Sequence, residues 1–280
     1  MEQLLTVNDL NKSYKKSEFQ LSNISFSIDP QEVVGLIGKN GSGKSTLINT
    51  LVGNRFKDSG SIKFFDQDIS QNNNHYKEYL GVVFDDLRVP NKLTITEMDK
   101  VFSNIFTTWD QQKFFDTIRY FDLPLKQQLS SFSRGMRMKA ALAIALAHDT
   151  KLLILDEATA GMDISGREEV LELLEDYIAQ GHGVMMSSHI SEDIEQIATK
   201  LIFMKDGEIV LTEDKHRLLN SYGIIEQTEE TVNIPDDIVV ASRVRNNTRT
   251  TLINDRSRVL NAQSLQSIDD ATKLVMRGDI

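Results

Sequence analysis

Val33-Val34-Gly35-Leu36-Ile37-Gly38-Lys39-Asn40-Gly41-Ser42-Gly43-Lys44-Ser45-Thr46-Leu47-Ile48 decides the fold. Five apolar residues without polar alternation read as a strand buried on both faces, the kind a parallel sheet uses. A glycine-rich turn follows, and then a segment of helical character. Gly38, Asn40, Gly41, Ser42, Gly43, Lys44 and Ser45 fall on the spacing G-x-x-x-x-G-K-[ST]. Glycines let successive backbone N–H groups turn inward around phosphate oxygens, and the next helix offers its positive end. Lys44 is placed to reach the β- and γ-phosphates, the Ser45 hydroxyl to ligate Mg²⁺, and Thr46 to make a further phosphate contact. A chance lysine after a glycine turn would not need a strand before it and a helix after it.

Working outward, Lys151–Leu155, His182–Ser188 and Leu201–Met204 are three further apolar runs. Helix-like stretches, Gly166–Ala179 and Ser191–Thr199, lie between them. This alternation predicts an α/β core with a largely parallel sheet. Leu4–Leu10, Phe19–Ile28 and Gly60–Phe65 read as an antiparallel β subdomain. Asp86–His148 reads as a helical insertion, with apolar spacing at Phe102, Ile105, Phe106 and Trp109, then Phe114, Phe115, Ile118 and Phe121. From about residue 222 the texture changes. Thr231–Ile234, Ile238–Val244 and Thr250–Ile253 read as strands and Ser267–Met276 as a last helix, making a small α+β appendage. The expected division is an ATP-binding domain over 1–221, with its insertion at about 86–148, and an accessory region over 222–280.

Composition narrows the field. Hydrophobic residues make up 40% of the 280 residues and charged residues 26%, ordinary for a globular chain. The 41 acidic and 31 basic residues give a formal net charge of −10, which lends no support to nucleic-acid binding. With no cysteine, disulfides, thiolate metal sites and cysteine nucleophiles are excluded. No apolar run approaches the roughly 18 residues of a membrane helix. The start lacks the basic region and apolar core of a signal peptide. A cytosolic location is expected.

The run Leu152-Leu153-Ile154-Leu155-Asp156-Glu157 puts two carboxylates at the C-terminal end of a buried strand, where open α/β sheets bind ligands. Alone, such a pair would pass for helix-capping acids. Coupled to the phosphate loop, it supplies what phosphoryl transfer to water requires: Asp156 for the metal and Glu157 for the attacking water.

With these motifs in this order, about residues 4–215 resemble the ATP-binding subunits of ABC transporters. Ser131-Phe132-Ser133-Arg134-Gly135-Met136 looks like that family's signature loop, with Arg134 and Met136 departing from its usual Gly and Gln. Ser133 is also a good helix N-cap, and the two roles are compatible. The resemblance implies that Ser133 and Gly135 contact ATP held by a partner protomer in a head-to-tail dimer. It implies that His189, in Ser187-Ser188-His189, senses the γ-phosphate and helps hold the water. It also implies that Asp163, in Gly161-Met162-Asp163, belongs to a loop crossing the dimer interface, and that Tyr14 stacks on adenine. Asp85, in Leu80-Gly81-Val82-Val83-Phe84-Asp85-Asp86, stands where the family carries glutamine. A metal-side role with altered nucleotide sensing is expected of it.

Asp85, Trp109-Asp110 and the signature variant resemble a subset of bacterial exporter ATPases with separately encoded membrane subunits, in peptide-export and cell-envelope-stress systems. The implied cofactors are ATP and Mg²⁺. The implied partners are a transmembrane permease subunit and a second ATPase protomer, identical or a sister chain, with the protein held at the cytoplasmic face of the membrane. An importer ATPase is one alternative. Another is a soluble ABC ATPase of translation or DNA repair, but the single phosphate loop and the lack of a long heptad run disfavour it.

Overall fold

Val33–Ile37 is buried at all five positions and forms the strand that leads into the glycine loop. The computed structural model describes residues 3–14, 17–69, 74–188, 190–228 and 234–279. In chain order the elements are β1 (Leu5–Tyr14), β2 (Ser17–Ile28), β3 (Val33–Ile37), α1 (Lys44–Leu51), β4 (Ser59–Phe64), β5 (Gln67–Asp68), β6 (Leu80–Val83), α2 (Ile95–Phe102), α3 (Gln111–Tyr120), α4 (Arg134–Leu146) and β7 (Leu152–Asp156). They continue as α5 (Ile164–Ala179), β8 (Gly183–Ser187), α6 (Ser191–Ile197), β9 (Lys200–Lys205), β10 (Glu208–Asp214), α7 (Lys215–Ser221), β11 (Gly223–Gln227), β12 (Val239–Arg245), β13 (Thr248–Ile253), β14 (Gln263–Ser264) and α8 (Ile268–Arg277).

The central sheet has the order β10-β9-β3-β8-β7-β6. Five strands are parallel, and β10 returns antiparallel on β9. Alternation along each strand supplies both faces. Val34 and Leu36 of β3 and Leu152 and Ile154 of β7 join a core with α1 and the antiparallel sheet β2-β1-β4-β5. Val33, Leu153 and Leu155 point the other way, into a core with α4, α5 and the helices α2 and α3. Because β8 lies between β3 and β7, the loops leaving these strands open side by side at one end of the sheet.

Two sequence expectations are corrected. The apolar spacing Phe102-Ile105-Phe106-Trp109 does not continue as helix, because α2 ends at Phe102. The Glu78 carboxylate takes the backbone N–H groups of Thr107 and Thr108, at 3.2 and 3.3 Å, away from any helical ladder. The ring of Phe106 instead stacks on His148, with centroids 3.9 Å apart. Leu80–Val83, read only as part of a motif, is the sixth strand of the central sheet, parallel to β7. Within the supposed strand Thr231–Ile234, residues 231–233 lie outside the described residues, and Ile234 belongs to no strand.

Helix α2 begins with a reciprocal cap. Thr94 accepts from the Glu97 N–H, and the Glu97 carboxylate accepts from the Thr94 N–H at 2.8 Å. Thr94→Ala is expected to cost about 1 kcal/mol of stability, read as a lower urea midpoint at unchanged slope.

The third sheet, β12-β13-β11-β14, is antiparallel and lies against α8 through Ala241, Leu252, Ala271 and Val275. Helix α8 is fastened at both ends to residues around the central sheet. The Ile268 N–H donates to Glu195 Oε2 at 2.9 Å, and Ser191 donates to Asp269. At its carbonyl end, Lys39 Nζ donates to Met276 O at 2.6 Å and Lys205 Nζ to Gly278 O at 2.8 Å, where ammonium groups also suit the helix dipole.

Candidate nucleotide site

The glycine loop leaves β3 and enters α1 through two left-handed residues, Gly41 (φ 85°) and Gly43 (φ 110°). A side chain on Gly38 would meet Met204 O at 2.6 Å, so the tight turn out of the strand requires glycine there. Helices α2, α3, α4 and α5 each start with a side-chain cap, from Thr94, Asp110, Ser133 and Asp163. By contrast, α1 has no side-chain cap and no acidic residue in its first turn. Lys44, Ser45 and Thr46 of its first turn line a cleft of about 810 Å³. Ser42 Oγ is buried without a hydrogen-bond partner among the described residues. An orphaned hydroxyl, an uncapped helix start and a buried lysine together fit a bound polyphosphate.

Lys44 is 6% exposed and donates to Gly38 O at 2.6 Å. Burial pushes its ammonium below the usual lysine range, and the charges of Glu157 and Asp156 push back. Asp156 is 3% exposed. Its Oδ1 accepts from Ser187 Oγ at 2.7 Å and from Ser45 Oγ at 3.3 Å. Burial raises the Asp156 pKa, the two hydroxyls lower it, and Glu157 and Asp85 raise it further. Ser187 ends β8, so the strand between the phosphate loop and the acid pair carries the bridge between them. Glu157 sits at φ 56°, with its N–H on Ser187 O and Oγ at 3.1 and 3.2 Å.

Tyr14, Asn40, Gly41, Gly43, Lys44, Ser45, Thr46, Asp85 and Glu157 all line the phosphate cleft. Asp85 is well exposed, 4.0 Å from the Arg88 guanidinium. Ser133, Gly135 and Asp163 do not reach this cleft. They line a separate cleft of about 470 Å³. Ser133 Oγ caps α4 through Met136 N–H at 3.2 Å, and Asp163 caps α5 through Gly166 N–H at 2.9 Å. His189 lies outside the described residues. Sequence reasoning missed Phe19, Lys39 and Arg134, which also line the phosphate cleft. Lys39 could have been suspected from its place inside the glycine loop. Nothing local marks Phe19.

Comparison with known proteins gives the family and the fold. The ABC transporter family profile matches residues 21–160. The lantibiotic transport ATP-binding protein SrtF of Streptococcus pyogenes is 33% identical over 221 residues, covering 75% of this chain and 91% of SrtF. A solved ATP-binding subunit of an ABC transporter superposes with a TM-score of 0.71 at 24% identity, over 77% of this chain and 91% of that one. The dimeric post-hydrolysis structure of the cassette MJ0796 with ADP and Pi shares the fold, with a TM-score of 0.67 at 20% identity over 75% of this chain and 98% of that one. The chain therefore belongs to the ABC transporter family, as an ATP-binding subunit with ATPase activity.

Proposed function

We propose that this subunit pairs head-to-tail with a second ATPase protomer around two ATP molecules and drives export of a peptide-class substrate through a separate transmembrane permease subunit. The observation that carries the pairing is the split of the site. Lys44 and Glu157 line one cleft while Ser133 and Gly135 line another, and of the signature loop Arg134 alone reaches the chain's own phosphate cleft, which leaves the contacts of Ser133 and Gly135 to a second protomer's site. Support for peptide export comes from SrtF, whose name records lantibiotic transport. No described helix is long and apolar enough to cross a membrane, so the permease would hold the protein at the cytoplasmic face.

In this reading Lys44, Ser42 Oγ, Thr46 and the loop N–H groups hold the phosphates, and Tyr14 stacks on adenine. The second protomer's Ser133 and Gly135 cap the γ-phosphate, and Asp163 stands at the crossing between protomers. Glu157 orients the attacking water and accepts its proton, with His189 as a second contact to the γ-phosphate. The metal-side donors are all hard oxygens, Ser45 Oγ, the Asp156 carboxylate and the more exposed Asp85, which fits Mg²⁺. When bound, Mg²⁺ neutralises phosphate charge and so favours the transition state. Closure of the dimer excludes bulk water from Glu157.

Residues 1–221 would form the ATP-binding domain and 222–280 an accessory region. The message would leave through the helical insertion at about 86–148. A groove of about 570 Å³ runs between this insertion and the central sheet, lined by Leu87, Phe102, Ile105, Phe106, Ile144 and His148 among others. It suits a short helix of the permease. Phe114 is fully buried and belongs to the core, whereas Ile105 is 57% exposed on the groove rim. Ile105→Asp is expected to abolish co-purification of the permease and transport, while the isolated subunit keeps its ATPase rate. Unchanged transport would remove the groove as the docking site.

A further inference from the structure

We infer that Asp193, held by Arg167 and Thr159, is a positioning residue that sets the backbone of the segment carrying Glu157. The inference rests on the reading of Glu157 as the carboxylate that activates water, and it adds a device that no motif in the sequence marks.

The Asp193 side chain on α6 is fully buried. Both carboxylate oxygens are engaged. Oδ2 accepts from Thr159 Oγ1 at 2.6 Å, and Oδ1 accepts from Arg167 Nε at 3.0 Å and from its NH2 group. Thr159 is itself 1% exposed and lies two residues beyond Glu157. The stretch between them is a tight turn: the Ala160 N–H donates to Glu157 O at 3.1 Å and the Met162 N–H to Thr159 O at 3.3 Å. Arg167 belongs to the first turns of α5, whose cap is Asp163. One buried carboxylate thus ties the middle of the 157–163 loop and the start of the following helix to α6.

The loop needs such a tie. Glu157 holds φ 56°, a conformation disfavoured for any residue with a Cβ and retained only where the surroundings impose it. On one side the imposing contacts are Ser187 O and Oγ on the Glu157 N–H. On the other they run through Thr159 to Asp193. With either anchor loosened, the Glu157 backbone can relax toward an ordinary conformation, which swings its carboxylate relative to the phosphate cleft. Lys44, Ser42 and Ser45 lie on other elements and are not moved by that change. The expected signature is therefore a loss in turnover without a loss in nucleotide affinity.

A buried ion pair that served stability alone would give a different result, a lower thermal midpoint with normal turnover in the folded fraction. Two variants separate the cases. Asp193→Asn keeps the shape and leaves Arg167 a partner in Glu192, 3.5 Å away. Thr159→Val removes only the hydroxyl and leaves the Asp193–Arg167 pair intact, so it decides the matter where Asp193→Asn folds poorly.

Each variant of the purified full chain would be assayed for kcat, KM for ATP and single-turnover hydrolysis, in the native and the Glu157→Gln backgrounds. In the native background kcat is expected to fall about 10- to 100-fold with KM within about twofold. In the Glu157→Gln background neither substitution is expected to slow the residual single turnover further, because both act through a group already removed. Normal kcat in a cooperatively folded Thr159→Val would overturn the inference. So would an equal further loss in the Glu157→Gln background, which would leave the reading of Glu157 standing. Full hydrolysis by Glu157→Gln alone would overturn both.

Discussion

Glu157→Gln is expected to retain ATP and to hydrolyse it about 100- to 10,000-fold more slowly, the usual worth of a positioned general base. The substitution preserves size and leaves the backbone contacts to Ser187 in place, so the φ 56° turn survives. What is lost is a group able to accept the proton of the attacking water. Binding should hold or improve, because a negative charge near the phosphates disappears while Ser42, Lys44 and Ser45 remain. The charge of Glu157 also helps keep Lys44 protonated against the pull of burial, and Asp156 continues to do so in the variant. With ATP bound and not consumed, the closed pair of protomers should accumulate. Gel filtration with ATP and Mg²⁺ is expected to show a dimer in Glu157→Gln and monomer in the native chain after turnover. A native hydrolysis rate in the variant would remove Glu157 as the base.

Lys44→Ala is expected to weaken ATP binding by about 10- to 100-fold, measured by isothermal titration. A charge-assisted hydrogen bond contributes about 1.5–3 kcal/mol, and 1.4 kcal/mol is a factor of ten in affinity. Hydrolysis should fall further than affinity, because the ammonium also meets charge that grows on the γ-phosphate in the transition state. The fold should tolerate the change. Lys44 stands at the start of α1, where alanine is a good helix residue, and its removal takes an ammonium out of a site where burial disfavours the charge. A melting temperature within a few degrees of the native chain, together with lost binding, would assign the effect to the site. Unchanged affinity would show that the loop N–H groups hold the phosphates without the lysine.

Local chemistry explains what could be read from the sequence. The glycine loop declares itself because its backbone geometry needs glycine at fixed steps and its helix follows at once. Ser133 as a helix cap was legible for the same reason, since the capping hydroxyl and the Met136 N–H it accepts from are three residues apart. The buried runs of β3, β7, β8 and β9 were legible as apolar stretches, whereas the order in which they lie in the sheet was not. Contacts set by distant residues were not legible. Phe102 to Trp109 carries helical spacing, yet α2 ends at Phe102, and further on Glu78 from another part of the chain holds the backbone of Thr107 and Thr108. The Thr159–Asp193–Arg167 cluster spans 34 residues of sequence and matches no spacing rule. Leu80–Val83 is too short to show a strand pattern, and its partner β7 lies some seventy residues on. The fastening of α8 to Lys39 and Lys205 is equally invisible, because it is made to backbone carbonyls, which every sequence supplies.

The aromatic pile beside the groove gives the molecule a built-in optical probe. Trp109 is the only tryptophan in 280 residues. Its ring lies 5.9 Å from that of Phe102, 6.4 Å from Phe106 and 5.1 Å from Phe114, and its indole N–H is held by Asp99 at 3.0 Å. Emission from this one indole therefore reports on the packing of the helical insertion and on whatever seats itself against Phe102 and Phe106. The phosphate cleft, lined by Tyr14 and Phe19, contributes no indole to that signal. A spectral change on adding nucleotide alone would thus measure motion relayed from the ATP-binding core to the groove, with no label attached.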